Sequence, residues 1–534
     1  MNRNILLLEP AYRAKFPPLP LMKLATYNRQ RGDRVIFAKH DLDRSIEDQV
    51  PVASSGLMGL PRTIRTTVWD RIYITSLLSF EYDRTAKAID EAIRLANGAT
   101  DRVFVGGIAA TLMHERFMAE PRWRGVRFIQ GMLDQAPAVS LQLDDFFEEY
   151  GADDRDGPPI DSLVPDYSIL DQVDYEYPVR DAYFLYGSRG CVRKCSFCAV
   201  PTLEGELRRG ASVLRQIEEV DRLNGPKRNL LMMDNNVVAS PEWRDIIAEI
   251  RDAGFAKGAT LSRNGTTVSR SVDFNQGVDA RYLAKDVSYL KELSTIALKP
   301  LRIAFDHVGM RRPYETAIRM AHDVGLTDLS NYLLYNFNDT PADLYARMSL
   351  NIALNEELGL SIFSFPMRYH PITRPDRGHV GPHWTRHELR SMQVMLQASH
   401  GVVSGSPDFF RYAYGSSAEE FCRLLRFPEK MLFHRSWFLE EGGKAEREEF
   451  ERLGRAMTTQ DWAELLNMVS GLDAKGFAVA ASRTTNTAVQ RILPFYPPLS
   501  REESEELSLR FRVSHATPRI PLPTLDSSNV LTAA

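Results

Sequence analysis

Short apolar runs separated by amphipathic stretches set the pattern of the first hundred residues. Residues 5–8 (Ile-Leu-Leu-Leu) are apolar without alternation, as a strand buried on both faces requires. A loop through Pro10, Pro17, Pro18 and Pro20 follows. Residues 21–31 then carry helical spacing, closed by Gly32, and 34–38 is a second apolar run. Residues 71–75 and 102–105 read as strands on either side of a helix at 84–95, and the last strand ends in Gly106-Gly107. Strands alternating with helices predict a doubly wound parallel sheet of Rossmann-like type. Ligands in such sheets sit beyond the carboxyl ends of the strands, where the loops after Leu8, Thr75 and Val105 emerge.

Residues 144–159, DDFFEEYGADDRDGPP, are acidic and rich in Gly and Pro and read as a solvated linker. A second strand–helix series follows. Its strands are expected at 182–186, 229–233, 271–274, 301–305, 331–335 and 361–365, with helices in the gaps, for example at 241–253 and 341–358. Beyond His370 the pattern turns mostly helical, and the end, RIPLPTLDSSNVLTAA, reads as a flexible tail. These shifts divide the chain into 1–143, a linker at 144–180, 181–375 and a helical region at 376–534.

Composition narrows the picture by exclusion. With 44% hydrophobic and 25% charged residues over 534 positions, the chain is an ordinary globular sequence with core enough for several domains. A net charge of -4 gives no global nucleic-acid footprint. No apolar run approaches the roughly 20 residues of a membrane span, and the apolar stretch at the N-terminus is too short for a signal peptide. Few cysteines and no signal point to the cytoplasm.

The chemistry lies in three of the four cysteines. Cys191, Cys195 and Cys198 stand in GCVRKCSFCAV, directly after the first strand of the second series. A zinc site wants four ligands, and no second CxxC or CxxH pair lies nearby. A disulfide framework belongs to small, cysteine-dense secreted chains. Three thiolates on one short loop can instead ligate three irons of a cubane 4Fe–4S cluster, leaving the fourth iron open. This CxxxCxΦC loop, with Phe197 in the aromatic slot, resembles that of radical S-adenosylmethionine (SAM) enzymes. The resemblance implies a partial six-stranded TIM-type barrel over the second series and SAM chelated at the open iron. It also implies an electron donor such as flavodoxin or ferredoxin.

The first segment resembles the cobalamin-binding domain of one large radical SAM subclass. It does so in LLLEPAYRAKFPPLPLMKLATYNRQRGDRV and in VFVGGIAATLMHERF. The matching contact positions are Pro18 and Leu19 in the Pro-Pro-Leu loop, Thr75 and Ser76, and Gly106 and Gly107. Glycines there let a backbone approach a flat corrin, and they serve equally in a tight strand-to-helix turn. No Asp-x-His-x-x-Gly motif is present, so no histidine is expected to ligate cobalt from below.

In parallel-strand barrels the chemistry sits at the carboxyl ends. After the second strand come Asp234, Asn235 and Asn236, where the resemblance places the acceptors of the SAM amino group. A helix N-cap box explains them as well. Asn275 and Gln276 after the third strand, and Arg281 beyond them, suit the ribose and carboxylate of SAM. Asp306 and His307 follow the fourth strand and are candidates to move a substrate proton, or a structural pair. Asn336 follows the fifth strand, along the adenine in the family, and Asp339 or Thr340 caps the helix opened by Pro341. Arg368 and Tyr369 after the sixth are the candidates for substrate or corrin contact. Phe197 is expected to shield the cluster. His383 and His387 are four apart but have no third ligand, so they read as a solvated pair; Cys422 reads as helix packing.

The expected activity is methylation of an unactivated carbon, with cobalamin as methyl carrier and a small molecule as substrate. The alternatives are a radical rearrangement or redox reaction, with cobalamin assisting or absent, and a non-enzymatic iron–sulfur protein. Methylthiotransferases share the cysteine loop but carry three further cysteines in an N-terminal domain, whereas no cysteine here precedes Cys191.

Overall fold

The computed structural model describes residues 3–40, 64–133, 159–397, 399–440, 442–470 and 474–506. Most of the acidic linker and the C-terminal tail lie outside these residues. The chain forms two compact units. Unit 1 holds residues 1–302, 323–326 and 370–379; unit 2 holds 303–322, 327–369 and 380–534.

Unit 1 begins with the expected doubly wound sheet. Strands β1 (Asn4–Glu9), β2 (Arg34–Lys39), β3 (Arg71–Ser76), β4 (Val103–Gly107) and β5 (Arg127–Phe128) lie parallel in the order β2-β1-β3-β4-β5. Leu6, Leu8, Ile72, Ile74, Val103 and Val105 form a single core with Ile89, Phe117 and Trp123 from the flanking helices. The order reverses between β1 and β3, which is the topological switch point where such sheets bind ligands. The two-residue β5 is too short to leave a periodic signal in the sequence.

The second series of unit 1 starts with β6 (Ala182–Leu185), β7 (Ser188–Arg189), β8 (Arg208–Arg209) and β9 (Asn229–Met232). An exposed hairpin, β10 (Thr260–Arg263) and β11 (Thr266–Ser269), precedes β12 (Ser271–Phe274) and β13 (Val278–Asp279). The sequence reading missed this hairpin. Its Asn264-Gly265 turn has positive φ at both residues, 51° and 75°, as a type I′ turn needs. Strands β6, β9 and β12 are parallel, with β9 in the middle.

The unit boundary falls within β14 (Leu301–Ala304). In unit 2, β15 (Leu329–Tyr335) and β16 (Phe363–Arg368) pair parallel in register from Ser330↔Phe363 to Tyr335↔Arg368. The sixth strand therefore runs later than the expected 361–365, because Pro366 is tolerated inside it. The helix Pro341–Leu358 is closed at its start by a capping box of Thr340 with Asp343 and at its end by Gly359 in the left-handed region. From Arg386 to Phe495 the described residues are helical segments and turns packed around Phe410, Tyr414, Phe421, Phe450 and Trp462. His387 is not a solvated pair member: it is buried, and its Nε2 bonds the Phe427 carbonyl at 3.0 Å. Among the described residues no helix is long and apolar enough to cross a membrane.

Candidate functional site

The cysteine loop in unit 1 is an excursion closed by a stem. Ser188 and Arg189 pair antiparallel with Arg209 and Arg208, and the Gly210 N–H donates to the Gly187 carbonyl at 2.8 Å. The Cys191 N–H reaches the Gly205 carbonyl at 3.4 Å. Gly190 enters the loop at φ +77°, and a Cβ there would stand 2.1 Å from the Glu206 carbonyl oxygen. Only glycine fits that position. Cys191, Cys195 and Cys198 are half-buried and none is in a disulfide. The Arg193 N–H points at Cys191 Sγ (3.4 Å) and the Val200 N–H at Cys198 Sγ (3.5 Å), which suits sulfur carrying thiolate charge. Among the described residues no three His, Cys, Asp or Glu side chains converge on one ion. Cubane ligands need not do so, because each thiolate binds a different iron. The donor set fits a cluster. Phe197 is half-buried beside its two neighbouring cysteines.

Two carboxylates that the loop depends on differ in how visible they were. Asp234, a sequence candidate, is 1% exposed. It accepts the Gly187 N–H at 3.0 Å, the Ser188 N–H at 2.5 Å and the Ser188 hydroxyl at 2.6 Å. Its carboxylate thus holds the turn before the stem. Burial pushes its pKa up to about 6 against those hydrogen bonds. The folded chain then keeps a proton that the unfolded chain loses above pH 3.8. Between about pH 4 and 6 this group should therefore cost stability as pH rises, by about 1.4 kcal/mol per pH unit. Urea midpoints across this range should show that slope in the wild type and lack it in Asp234→Asn.

Glu204 was not singled out from sequence, since a lone Glu after a cysteine motif carries no spacing signal. Its carboxylate accepts the Gly190 N–H (2.9 Å), the Asn235 side-chain amide (3.0 Å) and Arg189 Nη1 (3.3 Å). Asn235 is therefore tied to the mouth of the cysteine loop. Arg189 continues the network to Asp161 at 2.7 Å, and Asp161 to Lys23 at 3.2 Å. Burial would raise the Asp161 pKa, but the two cations outweigh it and hold it low. Glu204→Ala should weaken iron retention by about 10–100-fold, the usual cost of losing an outer-shell partner. Chelator competition on the reconstituted chain reads this, with helix content unchanged.

Asp279 is a second hub missing from the sequence reading. Arg281 forks onto it through Nε (2.7 Å) and Nη2 (2.8 Å), and Arg193, from inside the cysteine loop, donates to it at 2.9 Å. The Asp279 N–H donates to Asn236 Oδ1 at 3.4 Å. Burial raises the Asp279 pKa less than the Arg281 and Arg193 contacts lower it. Asn236 and Arg281 thus meet at one residue, Asn236 on the Asp279 backbone N–H and Arg281 on its carboxylate. Asn275 is half-buried at the end of β12 and Gln276 is exposed. No side-chain cap joins Asp234, Asn235 or Asn236 to the helix Trp243–Ile250, whose N-cap is Glu242.

At the switch-point sheet, Pro18 is the buried N-cap of the helix Leu19–Gln30, and Leu19 is half-buried. Thr75 and Ser76 are buried, in register with Gly106 and Gly107. The Ser76 hydroxyl donates to the Gly106 carbonyl and accepts the Ala110 N–H, both at 2.8 Å. Gly107 has φ +102°, and its Cβ would lie 2.5 Å from the Ser76 carbonyl. That glycine is required by the chain's own turn. The same edge presents Leu77 and Ile108, each 39% exposed, and His40 after β2 is engaged with Glu91 at 2.9 Å. An edge that presents Leu77 and Ile108 would suit a flat ligand held by apolar contact.

In unit 2, Arg347 organises the strand ends. It is fully buried on the helix Pro341–Leu358. Its Nη1 donates to the carbonyls of Phe305 (3.1 Å), Asp306 (3.0 Å) and Leu334 (2.7 Å), and Nη2 to Asp339 at 3.0 Å. Thr340, not Asp339, is the helix cap. Asp306 is half-buried and His307 exposed. Asn336 sits at φ +67° with its amide on the backbone, accepting the Gly381 N–H (2.7 Å) and donating to the Tyr369 carbonyl (3.0 Å). Tyr369 packs edge-on against Phe337 at 4.7 Å. Asn336, Arg368 and Tyr369 thus share the carboxyl end of the β15–β16 pair.

No protein-family description matches the chain. A curated relative, ribosomal protein uS12 methylthiotransferase RimO of Stenotrophomonas maltophilia (strain R551-3), is 33% identical over 110 residues. That match covers 19% of this chain and 22% of the relative. RimO of Xanthomonas axonopodis pv. citri (strain 306) matches at 31% over 110 residues, again 22% of its length. The chain thus spans about a fifth of the curated relatives it matches. Among solved structures, the radical SAM methyltransferase TsrM from Kitasatospora setae, with cobalamin and a 4Fe–4S cluster bound, aligns with TM-score 0.48 and 14% identity. It covers 70% of this chain and 77% of that one. HydG, a maturase of the FeFe-hydrogenase, aligns with TM-score 0.30 and 15% identity over 66% of this chain and 90% of its own. The methylthiotransferase match is local, and the three-cysteine loop keeps its resemblance to that of radical SAM enzymes.

Proposed function

We propose that this chain is a radical SAM enzyme, a cobalamin-dependent methyltransferase acting on an unactivated carbon of a small molecule. The observation that carries the reading is the closed cysteine loop: three half-buried thiols on one short loop, two of them accepting backbone N–H groups. Cys191, Cys195 and Cys198 would hold a 4Fe–4S cluster, which supplies the electron that splits SAM to a 5′-deoxyadenosyl radical. Phe197 would cover the cluster, and Glu204 and Asp234 fix the two ends of the approach to it. Asn275 and Gln276, at the end of β12, are placed to bind SAM. Arg281 would serve its carboxylate by sharing the fork it now gives Asp279. Asp306, His307, Arg368 and Tyr369 would orient the substrate and move its proton.

The cobalamin part rests on the switch-point order of the first sheet and its exposed Leu77 and Ile108. Cobalamin would supply the methyl group. The turn at Ser76 and Gly107, satisfied by its own backbone, favours the second reading, a radical rearrangement or redox enzyme on a scaffold without cobalamin. The absence of cysteines before Cys191 sets the chain apart from methylthiotransferase chemistry. The domain limits, the partial barrel over 181–375, a cytoplasmic place and a flavodoxin- or ferredoxin-type donor belong to the same proposal.

The test is anaerobic reconstitution with iron, sulfide and hydroxocobalamin, followed by gel filtration. Cobalamin retained near one per chain supports the methyltransferase. A chain that keeps its iron and releases all cobalamin leaves the second reading.

A further inference from the structure

The stem that closes the cysteine loop is only two residue pairs long, and a two-stranded ribbon of that size is marginal on its own. It therefore depends on what its side chains reach. Arg209 is held within the second strand series, by Glu249 at 2.6 Å. The other anchors lie outside that series. Arg189 forks onto Asp161, in the stretch 144–180 that reads as linker. Its Nη2 stands 2.7 and 2.9 Å from the two carboxylate oxygens, and Nε 3.2 Å from one of them. Arg208 reaches Met132 Sδ, just after β5, at 3.8 Å, and the Asp161 N–H donates to the Leu133 carbonyl at 2.5 Å. Both strands of the stem thus rest on one small region.

Asp161 is held as firmly on its other side. Lys23, 3% exposed, donates to its Oδ1 at 3.2 Å and also to its backbone carbonyl. Lys23 lies one turn after Leu19 on the helix Leu19–Gln30. The same face of that helix holds the residues after Asp161. Thr26 donates to the Val164 carbonyl at 2.5 Å, and Arg29 to Ser168 Oγ at 2.7 Å and to Asp166. Contacts from positions 23, 26 and 29 follow helical spacing. Of these contacts, the one at Asp161 continues into the stem. A neutral amide in its place would leave two largely buried cations without their counter-charge.

We infer that Asp161 is a positioning residue: through Arg189 it fixes the entrance of the cysteine loop to the helix Leu19–Gln30 of the first sheet. Arg189 passes the constraint to Glu204 at 3.3 Å, and Glu204 to the Gly190 N–H at 2.9 Å. The loop's role as a cluster site rests on the reading above; the tether does not.

The test compares Asp161→Asn, Asp161→Glu and Arg29→Ala with the wild type. Hydrogen exchange of the full chain before reconstitution, read by peptide mass spectrometry, follows the tether without the cluster. Asp161→Asn should exchange about tenfold faster over 188–191 and 204–210, and at the wild-type rate over 5–8. Arg29→Ala cuts the same strap away from Arg189 and should leave 188–210 unchanged. After anaerobic reconstitution, Asp161→Asn should release iron to a chelator about tenfold faster. Asp161→Glu, which keeps the charge, should recover part of both effects, and Arg29→Ala should match the wild type. Equal effects from Asp161→Asn and Arg29→Ala, no effect from Asp161→Asn, or no recovery in Asp161→Glu overturns the inference. A wild type that takes up no iron removes the cluster reading and leaves the exchange data to decide the tether. If Asp161→Asn does not fold, Lys23→Met replaces it: severalfold faster exchange over 188–191 supports the tether, and an unchanged rate overturns it.

Discussion

Replacing Cys191, Cys195 or Cys198 by alanine is expected to abolish formation of 5′-deoxyadenosine from SAM. Each thiolate would hold its own iron, so the two that remain could not replace the third. The loss should exceed about 100-fold, the upper end of what removing a mere outer-shell partner costs. Iron and sulfide analysis and the electron paramagnetic resonance spectrum of the reduced chain should show the cluster missing or degraded. The stem of Ser188 and Arg189 with Arg209 and Arg208 does not involve the thiols, so secondary structure should be unchanged. Cys422→Ala is the control: that residue is half-buried in the helix Ala418–Leu424, where burial raises its thiol pKa. Its replacement should leave cleavage intact.

The largest stability effect is expected at Arg347→Met, at about 3–5 kcal/mol. The methionine fills much of the space but leaves the Asp339 carboxylate without its cation and three carbonyls without their donor. Those carbonyls end the strands that carry Asp306 and Asn336, so the loss reaches the candidate residues as well. Hydrogen exchange should accelerate over 329–368 and leave 182–232 at its wild-type rate. Arg347→Lys should be intermediate, because one ammonium cannot span the same acceptors.

Much of this architecture could be read from the chain. The runs at 5–8, 34–38, 71–75 and 102–105 became β1 to β4 with shifts of one or two residues at their ends, because strands covered on both faces write their burial directly into composition. The cysteine spacing identified the loop for a similar reason: cluster ligation needs three thiols close in sequence. Capping was half legible. Pro341 marked a helix start, but only the coordinates separate Thr340 as the cap from Asp339 as the partner of Arg347.

The supporting residues were illegible. Glu204, Asp279 and Arg347 act across long sequence separations, Asp279 on Arg193 across 86 residues. No local pattern distinguishes a carboxylate that will be buried against a loop from one that faces water. The same limit hid the contacts of Asn336 and Asp234 with backbone groups and of Asn235 with the Glu204 carboxylate. His387 misled in the opposite sense, its i,i+4 spacing with His383 hiding a buried contact with Phe427.

The most direct test of the central claim is product analysis of the wild-type chain. The protein is reconstituted anaerobically with iron and sulfide, reduced, and incubated with SAM, and the products are identified by chromatography and mass spectrometry. The account predicts 5′-deoxyadenosine and methionine formed together, dependent on reductant. A chain that carries its full cluster and leaves SAM uncleaved would contradict it, and would make this a non-enzymatic iron–sulfur protein.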